Sequence, residues 1–177
     1  MEILNGRPND IYGRAEKEIK AYDFLDSLGI EYQRLDHEPA MTMEACVEID
    51  KVLGVAMCKN LFLCNRQQTE FYLLLMPADK QFKTKELSAQ IGTARLSFAS
   101  PEKMQELLGL TPGSATVLGL INDANNTVTL LLDNDILQQE YMGMHPCMNT
   151  SSIRVKTDDV IKRIIPVLGN NVIKVYL

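Results

Sequence analysis

MCKNLFLCNRQQTEFYLLLM, residues 57–76, holds two short apolar runs on either side of a polar middle. Met57–Cys64 and Glu70–Met76 are rich in leucine and aromatic residues, and NRQQT between them is turn-like, so the pair reads as a β-hairpin that Pro77 ends. A hairpin joins antiparallel strands, which excludes a purely parallel sheet. In a strand, Lys59 shares a face with Leu61 and Leu63, while Asn60 and Phe62 share the other. A lysine on an apolar face has two explanations. Its stem packs while the ammonium reaches water, or it lines a pocket as a cation available to a phosphate or a carbonyl oxygen.

Helical patterns surround this hairpin. Residues 15–28 space Ile19, Tyr22, Leu25 and Leu28 at helical intervals, with Gly29 as the stop, and IEYQRLDH after it reads as a strand. Thr42 caps a helix through MEACVEIDKVLG that Gly54 ends, and Thr84 is expected to cap another through Gln90. Ser100 as cap, Pro101 at the first helical position and Gly109 as stop mark a helix over SPEKMQELLG. SATVLGLI and TVTLLLD flank NDANN, which predicts a second hairpin. DILQQEYMG reads as a short helical turn leading into MHPCMNTSSIRV. TDDVIKRIIPVLG reads as a helix capped by Thr157 that Pro166 kinks or ends, and NVIKVYL as a terminal strand. The expected fold class is α/β of the α+β type: a mixed, mostly antiparallel sheet, curled or closed toward a barrel, with helices outside.

With 177 residues, 46% hydrophobic and 23% charged, and no linker or repeat, the chain is expected to be one domain over residues 1–177. Its apolar runs fall well short of the ~20 residues of a membrane helix. MEILNGRPND lacks the pattern of a secretory signal, so a cytoplasmic protein without a membrane partner is expected. Cys46, Cys58, Cys64 and Cys147 form no CxxC pair, and only His37 and His145 are present as histidines, so neither a disulfide framework nor a metal site is expected. A net charge of -5 argues against DNA binding by the whole surface. Any nucleic-acid contact needs a local patch, for which Lys80, Lys83 and Lys85, with Lys51, Lys59 and Arg66, are candidates beside the plainer reading of a solvated run.

Two further stretches carry chemistry. In GLTPGSATVLGL, Gly109 to Leu120, the Pro-Gly pair turns the backbone sharply and leaves amides free for an anion or a carbonyl oxygen, although an ordinary turn explains it equally well. In GMHPCMNTSS, His145 precedes a proline among hydrogen-bonding side chains, where a structural loop histidine is the plainer reading. Ser114, Ser151 and Ser152 have no nucleophile elbow around them, and no Walker loop or Rossmann fingerprint is present.

In this order, CKNLFL, RLSFASPEKMQELLGLTPGSATVLGL and HPCMNTSS resemble the YbaK/ProX family of aminoacyl-tRNA editing domains. AYDFLDSLGIEYQRLDHEPAMTMEA and the ending TDDVIKRIIPVLGNNVIKVYL are most similar to its freestanding prolyl-tRNA editing branch. The resemblance implies a hydrolase without a cofactor that acts on the acceptor end of a mischarged tRNA, alanine on proline tRNA in that branch, with prolyl-tRNA synthetase as an implied partner. It implies that Lys59 holds the terminal phosphate or ribose, that Gly113 opens a loop whose amides polarise the ester carbonyl, and that His145 shapes the pocket. Ser114, Ala115, Thr116, Asn149 and Thr150 would line the substrate. Val117 stands where the family's loop usually closes with proline, which leaves the edited amino acid less defined than deacylation. Cysteine or another small residue as cargo, and a non-catalytic tRNA- or synthetase-binding module, are the alternatives.

Overall fold

In the computed structural model, which describes residues 1–177, the chain begins β1 (Ile3–Asn5), α1 (Glu16–Ser27), β2 (Tyr32–Asp36), α2 (Met43–Leu53), β3 (Lys59–Cys64) and β4 (Phe71–Met76). It continues α3 (Thr84–Ile91), β5 (Ser97–Phe98), α4 (Pro101–Leu108), a 3₁₀ turn (Val117–Asn122), β6 (Val128–Asp133), a second 3₁₀ turn (Asn134–Gln138), β7 (Tyr141–Met144) and β8 (Ser151–Lys156). The closing helix runs as α5 (Thr157–Asp159), a π turn (Val160–Ile164) and α6 (Ile165–Leu168), and β9 (Val172–Val175) follows.

The hairpin of the 57–76 stretch is present, with Lys59 opposite Met76 and Cys64 opposite Phe71. Its loop is closed by Asn65, whose side-chain oxygen accepts from the amides of Thr69 at 2.8 Å and Glu70 at 3.1 Å. Thr42 and Ser100 cap α2 and α4 as expected, accepting from the amides of Ala45 and Lys103.

Two sheets form, ordered β1-β2-β8-β7 and β5-β3-β4-β6-β9. The first is antiparallel throughout; in the second, β6 runs parallel to both β4 and β9. They do not close into the barrel that was one of the expected forms. Both feed side chains into one cluster of 27 buried residues, including Tyr32, Ile153 and Val155 from the first and Phe62, Leu73 and Leu130 from the second. The other face of the second sheet packs Leu63, Leu74, Met76 and Leu131 against Leu87 of α3.

The second hairpin expected from SATVLGLI and TVTLLLD does not form. Val117–Asn122 is a 3₁₀ turn that buries Val117, Leu118 and Leu120 in the main cluster. Its Gly119 lies so close to the end of α4 that a Cβ there would stand 2.5 Å from Leu110 Cδ1. Asp123 then turns the chain: its carboxylate accepts from the amides of Thr127 at 3.0 Å and Val128 at 2.8 Å and from the Asn170 side chain at 2.8 Å. β6 therefore enters alongside β4 rather than folding back on its own approach.

Smaller differences concern ends and edges. Thr84 and Thr157 are the first helical residues, with Lys83 and Lys156 in the capping positions. Pro166 does not break the closing helix. It lacks an N–H and its ring crowds the carbonyl four residues back, and the turn before it widens so that the Ile165 amide reaches the Val160 carbonyl. β1, β5, β7 and β8 were not legible as strands, and Tyr141–Met144 fell inside the expected helical turn.

Candidate active site

The site forms where the start of β3 meets the end of β7. The Cys58 amide donates to the Gly143 carbonyl at 2.8 Å, and Met57 and Gly143 make a parallel bridge. Gly143 fits there because a Cβ would lie 2.8 Å from the Ala56 carbonyl oxygen. The two chains leave this bridge in the same direction, so Lys59 and Asn60 follow on one as His145 and Pro146 follow on the other.

Lys59 turns its side chain to the α3 side of the sheet, the face of Leu61 and Leu63. Its ammonium donates to the Lys80 carbonyl at 2.6 Å. That bond leaves two ammonium hydrogens for a ligand. Asn60 faces the main cluster, opposite Leu75.

His145 is fixed by its Nδ1, which lies 2.8 Å from the Ser151 carbonyl and must carry the proton, because a carbonyl only accepts. Burial lowers its pKa below the ordinary 6.5, and nearby His37 lowers it further, against the Ser151 hydrogen bond. The ring is therefore neutral near pH 7, with Nε2 as an acceptor without a partner in the protein. The His37 ring lies 6.4 Å away between centroids. Its Nδ1 donates to the Glu38 carbonyl at 2.8 Å, and its Nε2 lies 2.9 Å from the Ser152 hydroxyl.

Ser151 is itself pinned from below. Its hydroxyl lies 3.1 Å from Glu18 Oε1 and 2.9 Å from Asp36 Oδ1. Arg14 bridges the same carboxylates at 2.7 Å each, and Arg34 also pairs with Asp36. Burial alone would raise the Asp36 pKa, but hydrogen bonds from Arg14, Arg34 and Ser151 hold it down to about 2. This network fixes the first residue of β8 and through it the histidine.

The glycine loop is closed by its own hydroxyls. Ser114 donates through Oγ to the Thr111 carbonyl at 2.8 Å and through its amide at 3.1 Å, around Pro112 and Gly113. Gly113 has φ +89°, the left-handed third position of a type II turn after proline. Thr116 caps the following 3₁₀ turn. The amides of Gly113, Ala115 and Thr116 make no hydrogen bond within the protein. A Cβ on Gly113 would lie 3.8 Å from Asn149 Nδ2, so the loop and the segment after His145 adjoin. Thr150 is held by its carbonyl, which accepts the His37 amide at 2.9 Å.

The expected residues thus fall into a group made of Gly113, Ser114, Ala115, Thr116, Asn149, Thr150 and His145, with Lys59 reaching the site by its backbone while its ammonium lies on the other face. His37, Asn60 and the Arg14–Glu18–Asp36 network were not singled out by sequence. Of the expected basic patch, Lys80 is already paired with Asp133 at 2.6 Å and Asp135 at 2.7 Å, and Lys83 with Glu86 at 3.4 Å. Lys51, Lys85 and Arg66 make no ion pair, and Lys85 lines a groove along α3 with Lys83, Thr84 and Thr93, to which Arg95, outside the expected patch, also contributes. No three of the His, Cys, Asp and Glu side chains are grouped to hold a metal ion. Burial pushes the thiols of Cys58 and Cys147 up to about 12, so both stay protonated, Cys147 within the main cluster and Cys58 packed against it.

A triad-free site of unbonded amides beside a neutral histidine, on one antiparallel and one mixed sheet, suits an ester hydrolase that works by positioning. The sequence model of the aminoacyl-tRNA editing domain matches residues 37–163. The chain belongs to that family, on its prolyl-tRNA editing side, and is an aminoacyl-tRNA deacylase. It is 31% identical over 146 residues to the prolyl-tRNA editing protein ProX of Acetoanaerobium sticklandii, covering 82% of this chain and 88% of that one. It is 30% identical over 145 residues to the prolyl-tRNA synthetase associated domain-containing protein 1 of Xenopus laevis, covering 80% and 84%. Its fold matches the solved structure of a candidate trans-editing enzyme for prolyl tRNA synthetase with a TM-score of 0.68 at 15% identity, covering 92% of this chain and 98% of that one.

Proposed function

We propose that the protein hydrolyses the ester between alanine and proline tRNA, acting in trans on tRNA that a synthetase has already released. The observation that carries this reading is the loop at Gly113, which adjoins Asn149 and leaves the amides of Gly113, Ala115 and Thr116 unbonded, in a chain 31% identical to a prolyl-tRNA editing protein. A synthetic pocket sized for proline cannot strongly reject the smaller alanine, so a second site must select in the opposite sense. Here the alanyl group enters and the pyrrolidine ring of the correct product clashes.

The chemistry asks little of the protein because the ester is already activated. The Gly113, Ala115 and Thr116 amides receive the carbonyl oxygen as it becomes the tetrahedral oxyanion. Water attacks the carbonyl carbon, positioned by the ribose hydroxyl of the terminal adenosine, and the ribose oxygen leaves with a proton. His145 Nε2 lines the site as a neutral acceptor, and Lys59, whose ammonium lies across the start of β3 from the loop, holds the anionic end of the acceptor strand where it leaves the site over that face, through its two free ammonium hydrogens. Asn149 and Thr150 border the same space. No metal or cofactor takes part in this scheme, and prolyl-tRNA synthetase is the partner whose errors it corrects, in the cytoplasm.

The test is release of amino acid from alanylated, cysteinylated and prolylated proline tRNA. Rapid loss of alanine alone supports the reading. Loss of cysteine alone moves the assignment to a sibling specificity, and binding of all three without hydrolysis makes the domain a tRNA-binding module.

A further inference from the structure

Asn60 carries a buried polar atom that the fold leaves unpaired. Its Nδ2 donates to the Cys58 carbonyl at 3.0 Å, which fixes the orientation of the amide: the flipped form would set two oxygens against each other. Oδ1 is then a buried acceptor with no partner in the protein. Such an atom costs stability unless a ligand or water completes it.

Its position is the seam of the candidate site. Asn60 lies on the face of β3 that meets the main cluster, two residues beyond the Cys58–Gly143 hydrogen bond, as Pro146 lies three beyond Gly143 on the adjoining chain. The local field favours a cation. The Asp50 carboxylate accepts the Met57 amide at 3.2 Å near the end of α2, close enough to raise the Cys58 thiol, and the Lys59 ammonium is turned to the opposite face. A pinned carbonyl oxygen on the strand whose preceding residues face Asp50 suits an ammonium better than a neutral hydroxyl.

Resting on the editing function proposed above, we infer that Asn60 Oδ1 receives the α-ammonium of the esterified amino acid, so that Asn60 is a substrate-binding residue. The ester is then held from two sides, its carbonyl by the Gly113 loop and its amino group by β3. Recognition of the free amino group also separates an aminoacyl ester from the peptidyl ester of a tRNA in use, whose nitrogen is acylated.

The experiment compares kcat/KM on alanylated proline tRNA with that on the lactyl ester, in which a hydroxyl replaces the ammonium, for the wild type, Asn60→Ala and Asn60→Asp. The wild-type preference for the alanyl ester is expected to fall about ten-fold or more in Asn60→Ala and to persist in Asn60→Asp. An equal loss on both esters, leaving the ratio unchanged, overturns the inference and makes Asn60 a structural support of β3. A wild type that hydrolyses neither this nor any other aminoacyl ester overturns the editing function itself, a failure distinct from an unchanged ratio.

Discussion

The ammonium of Lys59 and the backbone carbonyl of Lys80 are joined by a hydrogen bond of 2.6 Å. Lys80 in turn spends its own ammonium on Asp133, which is fully buried, and on Asp135. The cation expected to meet the substrate is therefore latched to a loop that is itself tied to the end of β6. Lys59→Ala is expected to lower kcat/KM for alanylated tRNA by one to two orders of magnitude, as loss of a charge-assisted contact does. Activity unchanged in that variant would remove Lys59 from the site.

Lys80 is a support of that geometry rather than a ligand. Lys80→Met leaves the Asp133 carboxylate buried without its cation, and removing one partner of such a pair is strongly destabilising. Because the Lys80 side chain keeps 20% exposure, the loss is expected to be about 2 to 3 kcal/mol rather than the larger cost of a fully buried pair. Urea unfolding of the two proteins measures it. A midpoint equal to wild type would show that Asp133 finds water instead.

His145 sets an acid limit. Its pKa is held below 6.5 chiefly by burial, so the neutral form with a free Nε2 persists to lower pH than for an exposed histidine. The kcat/KM profile is expected to fall only below 6.5, and that limb should vanish in His145→Gln. Stability follows the same sign: above 6.5 folded and unfolded forms are both neutral, and as pH falls the unfolded histidine binds its proton first and the fold loses ground. Asp36 adds a second loss further down, between its ordinary 3.8 and about 2, as its contacts with Arg14, Arg34 and Ser151 are protonated away.

Gly113→Ala tests the backbone of the loop apart from its space. The new methyl would meet Asn149 Nδ2 at 3.8 Å, an ordinary contact, so crowding is not the obstacle. The obstacle is φ +89°, where an L-residue is strained by about 1–2 kcal/mol. The loop should relax and move its free amides, with kcat falling more than KM rises, since those amides act on the oxyanion and less on the ground state. A rise in KM alone would assign the loop to binding.

What was legible in the sequence was whatever local chemistry decides. Thr42 with Gly54, and Ser100 with Pro101 and Gly109, bracket α2 and α4 as their capping preferences dictate. Gly113 and His145 stood out because turn geometry and an isolated histidine are local signals. The partners of strands were not legible: VLGLI has the composition of a strand, but Gly119 against Leu110 and the turn at Asp123 are tertiary facts that make it a 3₁₀ turn and send β6 parallel to β4. Asn60 was hidden for the same reason. Its importance lies in an acceptor left unpaired only after β3 has met β7.

Val117 is the departure from the family pattern whose effect the structure makes predictable. Thr116 before it is extended, at φ -159° and ψ 151°, which is the conformation a residue preceding proline favours. Val117 itself opens a 3₁₀ turn, a position where the fixed φ of proline fits and the missing amide hydrogen is least needed. The loop is meanwhile closed by Ser114 on Thr111 and by the Thr116 cap, so proline is not required for its rigidity. Val117→Pro is therefore expected to fold, to change stability by less than about 1 kcal/mol because a buried side chain of similar size is kept, and to leave alanine release within about two-fold of wild type, a difference of only ~0.4 kcal/mol in barrier. Ser114→Ala, which removes the 2.8 Å bond across the turn, should lower kcat by about ten-fold, the scale of one lost hydrogen bond. If the order were reversed, with Val117→Pro inactive and Ser114→Ala unaffected, the hydroxyl closure of this loop would be incidental and its shape would depend on the valine.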